Sequence, residues 1–155
     1  ELVSIHDEAL YAEDEPVPRG SVDEWTGVKN RPEQAQLRTI HLKGKTSAKC
    51  CICGNKFPAS LLRPSHLKRR SECSSQEKRD QSNIAMLMCE TGCNAMYERG
   101  FISINNEGEV VVTKNGQTTV DLRRKLKELR GRKCRNYSVE QEPYLDWHRR
   151  TVFLG

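Results

Sequence analysis

The chain has 155 residues, of which 35% are apolar and 30% charged, and its formal net charge is +5. This composition allows one domain with a small core, which a metal or disulfides would reinforce. Because there is neither a signal-peptide pattern nor an apolar run of membrane-spanning length, we expect a soluble, cytoplasmic protein with no membrane partner. Closely spaced cysteines in that compartment favour metal binding over disulfides.

Charge divides the chain into an acidic lead-in and a basic body. Residues 1–30 hold eight acidic side chains against two basic ones, with Pro16, Pro18 and Gly20 among them, a pattern typical of a linker. The remaining 24 basic and 13 acidic residues give +11. We therefore predict a linker at 1–30 and one domain at 31–155. The basic body favours a polyanionic partner, although a solvated surface would look the same.

Apolar periodicity predicts an α+β set of elements along the basic body. Pro32 begins a helix that reaches residue 42, and an apolar strand later ends at His66. The elements that follow are a polar loop at 69–82, a strand at 84–88, a short helix at 93–99, a hairpin with strands at 101–104 and 110–112, an amphipathic helix from Leu122 to Gly131, and a last helix at 142–150.

Two cysteine pairs, Cys50-x2-Cys53 and Cys89-x3-Cys93, are separated by 35 residues. Each pair can offer two thiolates from a tight turn, and together they fill the four positions of a tetrahedral structural zinc site. Binding of Zn²⁺ there would contribute directly to folding. Cys51, beside Cys50, is an alternative ligand. The other two cysteines have no close partner and are expected to be ordinary thiols.

Three polar residues lie between and just after these pairs. His66 ends the first strand, Asn83 begins the next one, and Asn94 follows Cys93 at the start of the short helix. A metal at the base of that helix would hold it against the two strands. We therefore expect His66 and Asn94 to face each other across a cleft.

The ordered runs LRPSHLK at 62–68, NIAML at 83–87 and NAMYERGFISI at 94–104 resemble the HNH nuclease family. They are most similar to the branch found in bacterial restriction endonucleases, including modification-dependent ones. RPEQ at 31–34, Leu37-Arg38 and the run WHR at 147–149 also resemble that branch. The similarity spans residues 31–152 and points to a bacterial or phage protein.

This resemblance implies a ββα-metal core, stapled by the four-cysteine zinc site and flanked by helices and a β-hairpin. It also implies a metal-dependent endonuclease that hydrolyses phosphodiester bonds in DNA, as the cleavage domain of a restriction-type enzyme. His66 would be the general base, and Asn83 would pin the loop and orient His66. A homodimer, or a further DNA-recognition domain outside this chain, would help to choose the target.

The sequence departs from the family at two positions. Asn94 stands where the family often has a metal-binding His, and Ser65 stands before the general base, where Asp is common. An amide oxygen is a hard, neutral ligand, so the resemblance implies Mg²⁺ or Mn²⁺ at Asn94 and Ser65 rather than a second zinc ion.

Basic residues indicate how a duplex would be held. Lys68, Arg69, Arg70 and Arg99 flank the expected site and are candidate phosphate contacts, which position DNA without reading its sequence. The 121–135 segment adds eight basic residues against two acidic ones. Because aromatic residues are few and scattered, double-stranded DNA is favoured over single strands.

Two other functions are compatible with the same residues. One is a catalytically inactive, zinc-containing module that binds nucleic acid, and the other is a zinc domain that binds proteins. His148, beside Trp147, is expected to be a packing residue, with a phosphate or metal contact as the alternative.

Overall fold

Three two-stranded antiparallel sheets and five α-helices make up residues 32–155, the part of the chain that the computed structural model describes. The predicted linker at 1–30 lies outside these residues. The α+β class predicted from the sequence is confirmed. In chain order the elements are α1 (Pro32–Leu42), β1 (Ser47–Lys49), β2 (Lys56–Pro58), β3 (Leu62–His66), α2 (Ser75–Arg79), β4 (Ala85–Cys89), α3 (Cys93–Glu98), β5 (Ile102–Ile104), β6 (Val110–Val112), α4 (Val120–Leu129) and α5 (Glu142–Thr151).

The central pair is β3 and β4, which lie antiparallel with Leu62 opposite Cys89 and His66 opposite Ala85. Helices contact both strands, and every residue of β4 is buried. Side chains alternate between the faces of a strand, so Ser65 and His66 point to opposite sides. Accordingly, Ser65 contacts α3, whereas His66 contacts α1.

Apolar and polar contacts fix helix α1 to this pair. Leu37 is fully buried in the core. The Arg38 guanidinium donates to the carbonyl oxygens of Leu62 and Ala59, at 2.7 and 2.8 Å. These bonds satisfy two carbonyls just before and at the start of β3, and they set the position of α1 beside the strand.

Two predicted elements needed correction. The loop predicted at 69–82 contains the short helix α2, which begins with a capping box between Ser74 and Glu77. The amphipathic helix predicted to reach Gly131 ends at Leu129, and Arg130 caps it in an extended conformation. The hairpin predicted at 101–112 is confirmed as β5 and β6.

The C-terminal helix α5 is fastened to α3 through His148. This residue is 2% exposed, and its ring stacks on that of Tyr97 with the centroids 3.8 Å apart. His148 Nε2 donates to the Tyr97 carbonyl and Nδ1 accepts from the Ser103 hydroxyl, each at 2.8 Å. Both ring nitrogens are therefore satisfied by the neutral imidazole, and the packing interpretation of His148 holds.

No helix in the described range is long and apolar enough to cross a membrane.

Acid should destabilise the fold through His148. Burial lowers the pKa of His148 from its ordinary 6.5 to about 4. The unfolded chain therefore binds a proton that the folded chain does not, and stability falls as the pH drops from about 6.5 to about 4. The loss should reach about 3 kcal/mol. Urea unfolding of the metal-loaded chain across this range measures it. His148→Gln should flatten the dependence, and an unchanged slope would contradict this assignment.

Candidate metal centre and adjoining polar site

Four cysteines from three elements converge beside the β3–β4 pair. The sulfur atoms of Cys50, Cys53, Cys89 and Cys93 all lie within 4.8 Å of one another. A tetrahedral site with metal–sulfur bonds of about 2.3 Å needs sulfurs roughly 3.8 Å apart. The cluster can therefore close on one metal ion with small side-chain movements, and the prediction of a metal site from the cysteine spacing is confirmed to that extent.

The first cysteine pair lies in a tight backbone turn. Cys50 N–H donates to the Asn55 carbonyl, and Gly54 N–H donates to the Cys50 carbonyl, both at 2.9 Å. Gly54 adopts φ +73°, which a residue with a Cβ adopts only with strain. A Cβ at Gly54 would also lie 2.7 Å from the Arg132 guanidinium. Glycine at this position thus permits both the turn and the approach of Arg132.

Hydrogen bonding among the sulfurs shifts the pKa values of three of the thiols in different directions. Hydrogen bonds from Cys50 and Cys93 lower the pKa of Cys89. The contact with Cys89 raises the pKa of Cys50 to about 11, and contacts with Cys50 and Cys89 raise that of Cys93. A bound divalent ion would favour loss of the protons from Cys50 and Cys93, because metal ligation requires thiolates.

The remaining described cysteines do not join the cluster. Cys51 is buried beside it, and its N–H donates to the Leu87 carbonyl at 2.9 Å. Cys73 donates its thiol to the Arg69 carbonyl at 3.3 Å. Burial raises the pKa of Cys134 to about 12. Cys51 as an alternative ligand is therefore not supported by the geometry.

The cluster leads directly to the polar residues predicted to form the site. Cys93 is the first residue of α3, and Asn94 follows it. Asn94 is 5% exposed, and its Oδ1 accepts a hydrogen bond from the hydroxyl of Ser65, which is 1% exposed. The end of β3 and the start of α3 are therefore in contact at the two positions where the sequence suggested a second metal.

Ser65 meets Asn94 on one side of β3, whereas His66 lies on the other side against α1, so the structure does not place His66 facing Asn94 as the sequence predicted. There, His66 is held by a carboxylate that the sequence did not single out. Its Nε2 lies 3.2 Å from Glu33 Oε1 on α1, and Glu33 Oε2 accepts a hydrogen bond from Arg70. Burial opposes the charged form of Glu33, but the bonds from Arg70 and His66 outweigh it and lower the Glu33 pKa. An ionised carboxylate thus bridges His66 and Arg70. Glu33 belongs to the RPEQ run, which gave a resemblance but no role.

In the part of the chain that the structure describes, the Asn83 side chain hydrogen-bonds to Asp80 rather than to His66, which the sequence predicted that it would orient. Its side-chain amide donates to Asp80 Oδ1 at 2.9 Å, and Asp80 Oδ2 accepts from the Tyr144 hydroxyl at 2.7 Å. Asn83 therefore joins the loop before β4 to α5. Among the described residues, the hydrogen-bond partner of the His66 ring is Glu33.

Of the four residues predicted to contact phosphates, two form ion pairs with carboxylates within residues 32–155 and two do not. Lys68 pairs with Glu77 at 3.0 Å, and Arg70 pairs with Glu33. Arg69 and Arg99 are exposed, and neither forms an ion pair with another described residue. The basic side chains of α4 are also exposed: Arg123, Arg124, Lys125 and Lys127.

Neither a scan against protein-family models nor a search of curated proteins found a match to the chain. The HNH resemblance therefore rests on the residues quoted above and stays a prediction.

We expect the cysteine cluster to bind one divalent ion per chain. Titration of the reduced chain with Co²⁺ should give the visible absorption of a tetrahedral sulfur site, saturating at one equivalent. Cys93→Ser should lose that spectrum and melt at a lower temperature. Cys73→Ser, which removes a buried thiol outside the cluster, is the matched control and should retain it. A Cys93→Ser spectrum like that of the wild type would exclude the four-thiolate site.

Proposed function

We propose that this chain is a metal-dependent DNA endonuclease of the HNH type. One observation carries the proposal: Ser65, the residue before His66, is hydrogen-bonded to Asn94, where an antiparallel strand pair meets a helix that begins at a cysteine of the four-sulfur cluster. This juxtaposition is the arrangement expected for a ββα-metal core. The proposed reaction is hydrolysis of a phosphodiester bond.

The ion in the cysteine cluster is proposed to be zinc. Four thiolates select a soft or borderline ion, and a tetrahedral set of four cysteines leaves no coordination position for water or substrate. Its role is therefore structural. It fixes the start of α3, and with it Asn94, against the end of β3.

Glu33 determines which nitrogen of His66 can act as a base. An ionised carboxylate only accepts hydrogen bonds, so a bond between Glu33 and Nε2 requires the proton to be on Nε2. The lone pair of the neutral ring is then on Nδ1. From that position His66 would remove a proton from water, whose oxygen attacks phosphorus as the 3′-oxygen leaves.

A second, catalytic ion would be held by neutral oxygens. Asn94 Oδ1 and Ser65 Oγ are the donors present, and they suit Mg²⁺ or Mn²⁺ that keeps most of its water ligands. When bound, such an ion supplies positive charge to the phosphate and the leaving oxygen. Apart from the cysteines, no group of three His, Cys, Asp or Glu residues in the described range could hold it. DNA itself would therefore have to complete its coordination.

One observation favours a second candidate, a zinc module that binds nucleic acid without cutting it. Asn94 and Ser65 are 5% and 1% exposed, so neighbouring groups must move before an ion can reach their oxygens. The same basic surface would serve both candidates.

If the chain is an endonuclease, cleavage of both strands requires two active sites, which a homodimer on DNA would supply. Target choice would involve a further recognition domain.

Nicking of supercoiled plasmid in Mg²⁺ or Mn²⁺ distinguishes the two candidates. His66→Ala should lower the cleavage rate by at least about 100-fold, because it removes the general base. Duplex affinity and zinc content should be unchanged. Arg63→Ala, on the same strand, is the control and should cut normally. DNA binding by the wild type without cutting, on plain and modified DNA and with both metals, would support the second candidate instead.

Glu33 is proposed to position His66, and Glu33→Gln tests this. With the charge lost, the rate at saturating DNA should fall about tenfold or more, since the tautomer and orientation of the ring are no longer fixed. DNA affinity should rise, because Arg70 is released. Glu77→Gln releases Lys68 in the same way but does not touch His66. Glu77→Gln should raise the affinity for DNA and leave the cleavage rate unchanged. Equal rates in the two variants would show that Glu33 has no positioning role.

A further inference from the structure

A basic cleft of about 490 Å³ lies beside the cysteine cluster, and of its basic residues the sequence analysis had considered only Arg135, as part of the 121–135 segment. Three segments form it: the end of α1 with the chain into β1, the cysteine turn with the start of β2, and the residues after Cys134. Its basic lining residues are Lys45, Lys49, Lys56 and Arg135. His41, Ser47 and Asn136 add neutral polar groups, and Leu87 contributes to the wall.

Within residues 32–155, nothing compensates the charge of this cleft. All four cations are exposed, and no acidic side chain from this part of the chain lines the cleft. The ion pairs in the described range involve other residues, whereas Lys68 and Arg70 near His66 are each paired with a carboxylate. The low-dielectric walls of a concave site concentrate the potential of several like charges, so the cleft attracts anions more strongly than separate lysines would.

The cleft lies on the same side of the β3–β4 pair as His66. Leu87 is two residues beyond Ala85, the partner of His66, and alternate residues of a strand share a face. Helix α1 connects the two places, because Glu33 contacts His66 and His41 lines the cleft. Eight residues of helix cover about 12 Å. That distance equals about three or four base pairs along duplex DNA.

We propose that this cleft binds the phosphate backbone of duplex DNA, a few base pairs from the phosphate that faces His66. The inference rests on the proposed function for the identity of the polyanion. Several mobile ammonium groups around a concave surface suit a row of phosphates, which are contacted as point charges. Such contacts give affinity and register without sequence preference. The cations therefore supply the long-range attraction that the paired Lys68 and Arg70 do not.

The test compares two triple variants that lower the net charge equally. Lys45→Gln/Lys49→Gln/Lys56→Gln neutralises the cleft, whereas Arg63→Gln/Lys133→Gln/Arg150→Gln neutralises three cations that are ion-paired elsewhere. Binding of a short labelled duplex is followed by fluorescence anisotropy without divalent metal, between about 50 and 200 mM salt. Metal content and melting temperature are measured for each chain.

The cleft variant should lose about 2.7 from the slope of log affinity against log salt, at about 0.9 for each lost phosphate contact. Its affinity at the lower salt should fall more than about tenfold, and the control should change far less. Arg135→Gln changes a separate segment of the cleft and should lower the same slope by about 0.9. This variant tests the proposal even if the triple variant folds poorly.

Equal losses of slope and affinity in the two triple variants would overturn the proposal that the cleft binds DNA. It would also be overturned by wild-type slopes in the cleft variants, or by a wild type that does not bind duplex. These outcomes are separate from the failure of the endonuclease. If the wild type binds through the cleft but cuts no DNA, the cleft stands and the catalytic proposal fails.

Discussion

Much of this structure depends on the constraint imposed by four sulfur atoms. The cysteine cluster joins the turn after β1, the end of β4 and the start of α3, although the two pairs are separated by 35 residues in sequence. Thiolates repel one another, so the segments can be held together in the ionised form only by a cation. Asn94 follows the last of these cysteines. The position of the polar site therefore depends on the position of the cysteine cluster.

Contacts with the helices supply the stability that two-stranded sheets lack on their own. Each of the three sheets has only two strands, and an isolated pair of strands is marginally stable in water. Helices α1 and α3 contact β4, while the stacked rings of Tyr97 and His148 join α3 to α5. The core is consequently built from contacts between short elements rather than from one extended sheet. The proposed site lies where two of these contacts meet.

The sequence predicted those features that are encoded locally. Ligand pairs for a tetrahedral metal come from tight turns, so the cysteine spacing alone identified the cluster. The unbroken apolar run at 84–88 identified β4, which is buried along its whole length. Strands β1 and β2 have three residues each, which is too short for a readable alternation, and both were missed. The capping box at Ser74 and the short helix α2 lie in the segment that was predicted as a loop.

Long-range side-chain contacts were not predictable in the same way. Glu33 and His66 meet because Arg38 and Leu37 dock α1 on β3, and no spacing in the sequence encodes that docking. Asn83 was expected to reach His66 but bonds to Asp80, three residues earlier, because the turn before β4 brings the two side chains together. Which polar groups meet is decided by packing, and only their chemical types can be read in advance.

The carboxylate bridge at Glu33 also bears on the order of events when a polyanion approaches. Arg70 is already neutralised by Glu33, and Lys68 by Glu77, so neither contributes much to attraction at a distance. Under the proposed function, the rate of encounter is set by cations remote from His66. Arg70 and Lys68 bind phosphates only afterwards, when each exchanges its carboxylate partner for a phosphate. Encounter and engagement are thereby separate kinetic steps, and added salt slows the first far more than the second.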